Sequence, residues 1–266
     1  MQSSLTTIRL SAMRRLRMIV EYDGTDYCGW QRQDGVATIQ AEVEAALHSI
    51  TGEGRGVCGA GRTDSGVHSL GQTAHFDTAS TISPRNFHLG LNSALPRAIS
   101  IRSVEEAPAT FDARRSALGK LYRYTIWNDV VRAGLRDRYA WHVREPLDVA
   151  RMKTAAVHLV GRHDFSAFRA TDCDRLTTVR TLHRVDIARA DELITIEVEG
   201  DAFLKNMVRI IAGTLTHVGD GRIDPARMPA IRDAGDRKQA GATAAAKGLC
   251  LVRVDYPSEI SPPGPS

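Results

Sequence analysis

Alternating apolar and polar residues predict a first core strand between Arg15 and Tyr22. Leu16, Met18 and Val20 alternate there with charged residues, which is the period-two pattern of a strand with one packed face. A helix is predicted from Thr38 to Ile50, because apolar residues recur on one helical face, the first residue can serve as the N-cap and a glycine follows the last turn. This helix should cover one face of the sheet that the strand begins.

The same periodicities predict strands and helices along the rest of the chain. The predicted strands span residues 56–60, 72–77, 99–104, 118–128, 182–188, 193–198 and 249–256. Helices are predicted to begin at 83–84, to span 147–160 and 202–218, and to begin again at 224–225. Because strands and helices alternate in both halves, we expect an α+β fold with two similar halves.

An acidic, proline-containing stretch from Glu105 to Ala113 predicts a domain boundary between these halves. We expect an N-terminal extension at residues 1–13, an N-terminal α+β domain at 14–110, a C-terminal α+β domain at 111–257 and a disordered tail at 258–266. A chain of this length can bury a substantial core, so size alone demands no metal or disulfide.

The composition is that of a soluble globular protein. Of the 266 residues, 42% are hydrophobic and 25% are charged, the mean hydropathy is −0.24, and no apolar run approaches the length of a membrane span. The N-terminus lacks the continuous apolar stretch of a secretory signal, so we expect a cytoplasmic protein without membrane insertion. The four cysteines form no closely spaced pair, which argues against a disulfide framework or a structural zinc site.

The net charge favours a nucleic-acid partner without establishing one. The formal net charge is +4, and thirty of the 35 basic residues are arginines. One arginine guanidinium can donate two hydrogen bonds to a phosphate group, and it can also stack on a base. The same numbers also fit a solvated surface shaped by genome composition. A basic surface for RNA is therefore one of two interpretations.

The segment from Gly59 to Asp77 has the composition of a catalytic turn followed by a strand. Gly59, Gly61 and Gly66 allow sharp bends around Asp64. Arg62 stands two residues before it, where a cation could keep a half-buried carboxylate ionised. An ordinary solvated turn explains the same residues.

Other sites that this segment could form lack required parts. The turn lacks the GK[ST] ending of a P-loop and the spaced glycines of a dinucleotide fingerprint. His75 and Asp77 could ligate a metal, but the sequence indicates no second cluster of ligands. Ser65, His68 and Asp64 have no nucleophile elbow around them. One carboxylate beside an arginine remains, which suits a reaction that needs a single nucleophile or base.

Aromatic and basic side chains elsewhere could bind RNA. Trp30 lies in a turn-rich loop, where it could touch RNA or pin the loop to the core. Tyr122 lies beside basic residues on a predicted strand, where it could stack on a base or pack. Lys205 and Arg209, four residues apart, face away from the apolar stripe of their predicted helix, either solvated or lining a cleft. The loop at 162–180 combines aromatic and basic residues in a way that suits RNA.

Six motifs resemble those of the TruA family of tRNA pseudouridine synthases. They are YDGTDYCGWQRQ at 22–33, AGRTDSGVH at 60–68, KLYRY at 120–124, DFSAFRA at 164–170, FLKNMVR at 203–209 and GLCLVRVDYP at 248–257. The resemblance covers about residues 14–257. Six motifs in the right order make chance an implausible explanation.

The resemblance implies roles for the candidate residues. The family's catalytic aspartate falls on Asp64, its accompanying arginine on Arg62, its base-stacking tyrosine on Tyr122 and the arginine that pairs with the aspartate on Arg209. Arg62 would help to hold the target base out of the helical stack, and Asp64 would start cleavage of the glycosidic bond. Lys205, in the same motif as Arg209, is expected to contribute to substrate binding.

Trp30, in the first motif, is also expected to contribute to substrate binding. The resemblance further implies the pseudouridine synthase fold, in which two α/β-sandwich-like halves with mainly antiparallel sheets flank a basic cleft. It implies conversion of uridine to pseudouridine at positions 38, 39 and 40 of the tRNA anticodon stem-loop, without metal, nucleotide or other cofactor, by a homodimer. The alternative is an RNA-binding or chaperone protein that uses this scaffold without catalysis.

Overall fold

The computed structural model describes residues 13–173 and 176–258, and ten strands of these residues form one sheet. The strands are β1 (Arg14–Tyr22), β2 (Cys58–Gly59), β3 (His68–Thr78), β4 (Ile99–Ala107), β5 (Gly119–Asn128), β6 (Trp141–Val143), β7 (Gly161–Asp164), β8 (Val179–Ala190), β9 (Leu193–Gly200) and β10 (Leu249–Asp255). The α-helices are α1 (Ile39–Thr51), α2 (Pro84–Ala94), α3 (Val149–Ala156), α4 (Met207–Gly219) and α5 (Met228–Asp233). None of these helices is long and apolar enough to cross a membrane.

The sheet continues through both halves of the chain. Its order is β4-β1-β3-β10-β5-β9-β8-β7, with β2 beside β3 and β6 beside β5. The strand pairs are antiparallel except β10–β3 and β5–β6. The halves meet where β10 pairs in parallel with the start of β3, with Cys250 opposite His68 and Leu251 opposite Ser69. The predicted α+β fold with mainly antiparallel strands is confirmed.

Two apolar clusters pack the helices onto this sheet. The first joins α1 and α2 to β1, β3 and β4, and its rings include Phe76 and Phe87 with centres 5.4 Å apart. The second and larger cluster joins α3, α4 and α5 to β5, β8 and β9. The domain boundary near residue 110 stays a prediction, because one sheet spans both halves. The predicted extension and tail lie outside the described residues, apart from Met13 and Ser258.

Local sequence signals account for both helices of the first half. α1 begins directly after Thr38, whose side chain makes no capping hydrogen bond, and it is followed by Gly52, which has a φ of 72° in the left-handed region. Ser83 caps α2 by accepting a hydrogen bond from the backbone N–H of Asn86 at 3.3 Å, and Pro84 occupies the first turn. These predicted helix starts, and the end of α1 at the glycine, are confirmed.

The helix predicted from Ala202 to Val218 begins five residues later, at Met207. Asn206 has a φ of 61°, and a right-handed helix cannot continue through a residue in the left-handed region. Asparagine is one of the few non-glycine residues that visits this region routinely. Lys205 therefore lies before the helix, and its predicted place on the polar face of that helix is wrong.

Much of the loop predicted at 162–180 belongs to the packed fold. β7 pairs with the start of β8, and the side chains of Phe165 and Phe168 are fully buried in the second cluster. The prediction that this loop offers its aromatic rings to RNA is wrong, because both rings fill the core. Composition alone could not distinguish these two uses of an aromatic side chain.

Candidate active site

Asp64 lies in a turn of residues 60–67 that connects β2 to β3, here named the Asp64 turn. The end of β1 and the loop after it contact this turn. The backbone N–H of Trp30 donates to the carbonyl oxygen of Thr63 at 3.1 Å. The hydroxyls of Tyr22 and Thr63 share a buried hydrogen bond of 2.8 Å. The first family-like motif therefore holds the turn that carries the acid.

Gly29 allows the supporting loop to approach the Asp64 turn closely. Its φ is 85°, and a Cβ at this position would lie 2.4 Å from the carbonyl oxygen of Thr63. Glycine avoids both the left-handed strain and this clash.

Trp30, the next residue, is buried rather than displayed. Its side chain is 2% exposed, and a Cβ on Gly59 would come within 2.6 Å of its indole ring. Its ring also contacts that of Tyr22, with centres 6.0 Å apart. The side chain of Trp30 therefore pins its loop to the core, which is one of the two interpretations that the sequence allowed.

Two side chains hold the Asp64 turn from the sheet. Lys120 on β5 donates from Nζ to the carbonyl oxygen of Ala60 at 2.9 Å, and Gln72 on β3 donates from its amide to the carbonyl oxygen of Gly61 at 2.7 Å. Lys120 comes from the C-terminal half, so its bond joins the two halves. Sequence reasoning did not identify this contact, because no local pattern reports a bond between residues 60 positions apart.

Arg209 is the cation that faces the carboxylate of Asp64. Its Nη1 lies 3.8 Å from Oδ2 of Asp64, whose side chain is 31% exposed. Burial raises the pKa of the Asp64 carboxyl above its ordinary value, and the positive charges of Arg209 and Lys205 partly offset that rise. The nearby charge of Asp172 adds to it. A poorly solvated acid with specific charged neighbours is typical of functional sites.

Two hydrogen bonds to neighbouring residues orient the guanidinium of Arg209. Arg209 lies in the first turn of α4, where its Nε donates to the carbonyl oxygen of Ala244 at 2.8 Å and its Nη1 donates to Oδ1 of Asn206 at 3.0 Å. Asn206 therefore sets both the start of α4 and the direction of the guanidinium. Sequence reasoning missed Asn206, although an asparagine immediately before an apolar helical run is a recognised start signal.

Tyr122 on β5 borders the same site and is 7% exposed. Its ring meets that of Phe203 edge to face, with centres 5.0 Å apart. Burial and the charge of Asp64 raise the pKa of Tyr122, so its phenol stays protonated at neutral pH. The structure thus gathers an acid from a turn of one half with an arginine and a tyrosine from the other.

Arg62 and Lys205 lie at the rim of the site. The exposed guanidinium of Arg62 donates from Nε to Oε1 of Gln31 at 3.2 Å. The ion pair of Arg62 with the nearby acid, considered from sequence, is not formed, because a residue of the other half takes that place. The ammonium of Lys205 pairs with the carboxylate of Asp172.

One large cleft is lined by all six candidate residues, which are Trp30, Arg62, Asp64, Tyr122, Lys205 and Arg209. Its volume is about 1460 Å³, above the roughly 300–1,000 Å³ of typical small-molecule sites. Its basic side chains outnumber its acidic ones. The basic ones are Arg62, Arg114, Lys120, Arg180, Lys205 and Arg209, and the acidic ones are Asp64, Asp172 and Asp201. Size and charge together suit a large polyanion.

A group of possible metal ligands lies near β2. Cys58, His75 and Asp112 bring one ligand atom each within 4.8 Å of one another, a grouping that the sequence did not indicate. Asp77, the partner considered from sequence, instead forms an ion pair with Arg15. Nδ1 of His75 already accepts a backbone hydrogen bond of 3.1 Å, and burial, together with the positive charge of Arg15, lowers the pKa of His75. A cation bound here would be repelled by the positive charge of Arg15 and would find Nδ1 of His75 already engaged in a hydrogen bond.

The chain resembles known proteins over most of its length. A family model described as tRNA pseudouridine synthase matches residues 18–114 and 155–257. Proteins named tRNA pseudouridine synthase A from Geotalea uraniireducens, Pelobacter propionicus and Brevibacillus brevis are 50%, 48% and 48% identical over 244 residues, which are 92% of this chain and 100% of each relative. A crystal structure of a Cbf5–Nop10–Gar1 complex aligns with 88% of this chain and 57% of its own at 12% identity and a TM-score of 0.35. With the family model and the relatives spanning most of its length, the chain belongs to the tRNA pseudouridine synthase family.

Proposed function

We propose that this protein isomerises uridine to pseudouridine in the anticodon stem-loop of tRNA, at positions 38, 39 and 40. The observation that carries the proposal is the half-buried carboxylate of Asp64, set opposite Arg209 on the floor of a large basic cleft. Membership of the tRNA pseudouridine synthase family supplies the substrate class.

The reaction balances without a second reactant. The bond between ribose C1′ and uracil N1 breaks, a bond between C1′ and C5 forms, C5 loses its proton and N1 ends with one. Product and substrate have the same composition, so the conversion consumes no cofactor. Asp64 can begin it by attacking the sugar, attacking the base or removing a sugar proton, and each route needs the ionised carboxylate.

The target uridine must leave the helical stack to reach the carboxylate, as bases do in other base-modifying enzymes. Arg62 at the rim holds the base out, and Tyr122 on the cleft wall stacks on it. Lys205 exchanges its ion pair with Asp172 for a phosphate of the RNA. Trp30 acts indirectly, by supporting the turn that carries the acid.

Tritium release from tRNA labelled at C5 of uridine tests the activity, since the C5 hydrogen is lost at each turnover. We expect release by the wild-type protein and a loss of at least ~10³-fold in Asp64→Asn, which removes the nucleophile or base without changing the volume of the side chain. The dissociation constant for tRNA should stay within about threefold, because one half-buried acid contributes little to binding the polyanion.

Asp201→Asn is the matched control, because Asp201 lines the same cleft but pairs with His183. It should keep its turnover. Wild-type protein that binds tRNA and releases no tritium would establish the non-catalytic RNA-binding alternative. A retained rate in Asp64→Asn would remove this residue from the mechanism.

We also infer a cytoplasmic homodimer. Its support is the family resemblance together with the exposed apolar side chains of Val130, Val131 and Leu135 on one loop. Light scattering should give twice the 29.1 kDa mass of one chain, and a single-chain mass would contradict the inference.

A further inference from the structure

His68 begins β3 four residues after Asp64, at the junction of the two halves. It stands opposite Cys250 in the parallel β10–β3 pairing, and it is 6% exposed. The roles proposed above make no use of this buried imidazole.

Both ring nitrogens of His68 bond to backbone groups from different halves. Nδ1 accepts from the N–H of Gly24 at 3.1 Å. Nε2 lies 2.9 Å from the carbonyl oxygen of Arg138 in the loop of residues 129–140, which follows β5 and is here named the 129–140 loop. Because an amide N–H only donates and a carbonyl only accepts, these partners place the proton on Nε2 and leave the ring neutral.

Of the other groups around the ring, Asp23 and a backbone hydrogen bond to Lys247 favour a charged imidazole, whereas burial opposes it. Oδ1 of Asp23 lies 3.2 Å from Nδ1, but that oxygen already accepts the N–H and hydroxyl of Thr25. The other oxygen of Asp23 accepts the phenol of Tyr139 at 3.0 Å and pairs with the guanidinium of Arg138. Burial lowers the pKa of His68 and outweighs the opposite effect of Asp23.

Gly24 is itself in direct contact with the Asp64 turn. A Cβ on Gly24 would lie 2.0 Å from the carbonyl oxygen of Val67, so the two backbones are in close contact. The N–H of Val67 in turn donates to the carbonyl oxygen of Asp64 at 3.1 Å. The ring of His68 is therefore hydrogen-bonded to the backbone segment at Gly24, and that segment contacts the end of the Asp64 turn.

We propose that His68 is a positioning residue that fixes the Asp64 turn against the C-terminal half through its two backbone hydrogen bonds. Asp64 belongs to one half, whereas Arg209 and Tyr122 belong to the other, so their alignment depends on contacts that join the halves. A displacement on the order of 1 Å in such a site can reduce a rate about 100-fold. The proposal rests on the proposed function for its effect on turnover.

Three substitutions separate the two hydrogen bonds. His68→Ala removes both, His68→Asn can present an acceptor near the position of Nδ1, and His68→Gln can present an N–H near the position of Nε2. We expect kcat for tritium release to fall about 10- to 100-fold in the alanine variant, with the dissociation constant for tRNA within about threefold of wild type. The asparagine and glutamine variants should each retain more turnover than alanine.

Amide hydrogen exchange provides a readout that does not depend on turnover. The N–H of Gly24 should stay protected in His68→Asn and exchange faster in His68→Gln and His68→Ala. The amides of the Asp64 turn should exchange faster in His68→Ala. The midpoint of thermal unfolding of each variant shows whether it is folded under the conditions of the measurements.

His142→Ala is the matched control, because its Nε2 also bonds a backbone carbonyl of the 129–140 loop, that of Asp129 at 2.7 Å, without crossing between the halves. Its kcat should stay within about twofold of wild type. A kcat and exchange pattern of His68→Ala equal to wild type would overturn the positioning role. So would asparagine and glutamine variants no better than alanine. Wild type without tritium release would overturn the proposed function instead, and the exchange data would then decide the role of His68.

Discussion

The surroundings of Asp64 have opposing effects on the ionisation of its carboxyl. Burial raises the pKa of its carboxyl, and Arg209 is the first of the cations that counter the rise. Arg209 can do so at 3.8 Å because Asn206 and the carbonyl of Ala244 hold its guanidinium in place. The reactivity of the acid is therefore set jointly by solvent exclusion and by one oriented cation.

The pH dependence of turnover tests this balance. Turnover needs ionised Asp64, so kcat should fall as the pH drops through a pKa that lies above the ordinary value of 3.8. Arg209→Gln removes a charge that lowers this pKa, so the acid limb should move to higher pH and the plateau should fall about 10-fold or more. Plots of kcat against pH from tritium release measure both effects.

Arg222→Gln is the control for the loss of one positive charge, because Arg222 pairs with Asp220 and does not line the cleft. Its acid limb should coincide with that of wild type. An acid limb of Arg209→Gln that stays in place or moves to lower pH would show that Arg209 does not govern the charge of Asp64.

At the scale of elements, the loop after β1 acts as a support for the Asp64 turn. Backbone contact is possible because Gly29 has no side chain where the carbonyl oxygen of Thr63 approaches. The buried ring of Trp30 then fills the space beneath Gly59. The residues of this motif need not touch RNA to matter for catalysis.

Substitution of Gly29 tests this support. Gly29→Ala combines left-handed strain with a clash against backbone, so it should lower the free energy of unfolding by about 2–4 kcal/mol and reduce kcat. Gly35→Ala is the control, since Gly35 also has a positive φ, of 77°, but has no atom within 4 Å of the added Cβ. It should cost about 1–2 kcal/mol. Urea unfolding measures both, and equal losses would contradict the close-contact argument.

At the scale of the whole molecule, the site exists because one sheet joins two halves. Only two residue pairs link β10 to β3, and Lys120, His68 and Arg138 add side-chain bonds across the same junction. The cleft that results brings basic side chains from both halves onto one surface. Its charge is therefore a property of the assembled fold.

The salt dependence of tRNA binding tests that surface. Arg114 lines the cleft with an exposed side chain, so Arg114→Gln should weaken binding and reduce the slope of log K against log salt by about 0.7–0.9, the value for one phosphate contact. Arg222→Gln, with its charge away from the cleft, should leave the slope unchanged. Titrations at several salt concentrations measure the slope, and equal slopes in both variants would place the RNA elsewhere.

The sequence by itself predicted much of the secondary structure and singled out Asp64 as the candidate acid. Periodicity and capping signals predicted β1, α1 and the start of α2, because these depend on residues close together in the chain. The glycines around Asp64 predicted its turn, and the six motifs indicated the family. Each of these inferences uses information contained within short segments.

Only the tertiary structure decided which side chains meet. The family resemblance implied that Arg209 pairs with the aspartate, but only the structure places its guanidinium 3.8 Å from Asp64 with Arg62 outside the pair. It also shows that Lys205 precedes α4 instead of lying on it. Phe165 and Trp30 are buried, although both were candidates for contact with RNA. Local patterns report the face of an element on which a residue lies, whereas the partner across that face depends on strands paired from distant parts of the chain. The pairing of β10 with β3 joins the two halves, and it could not be read from either strand alone.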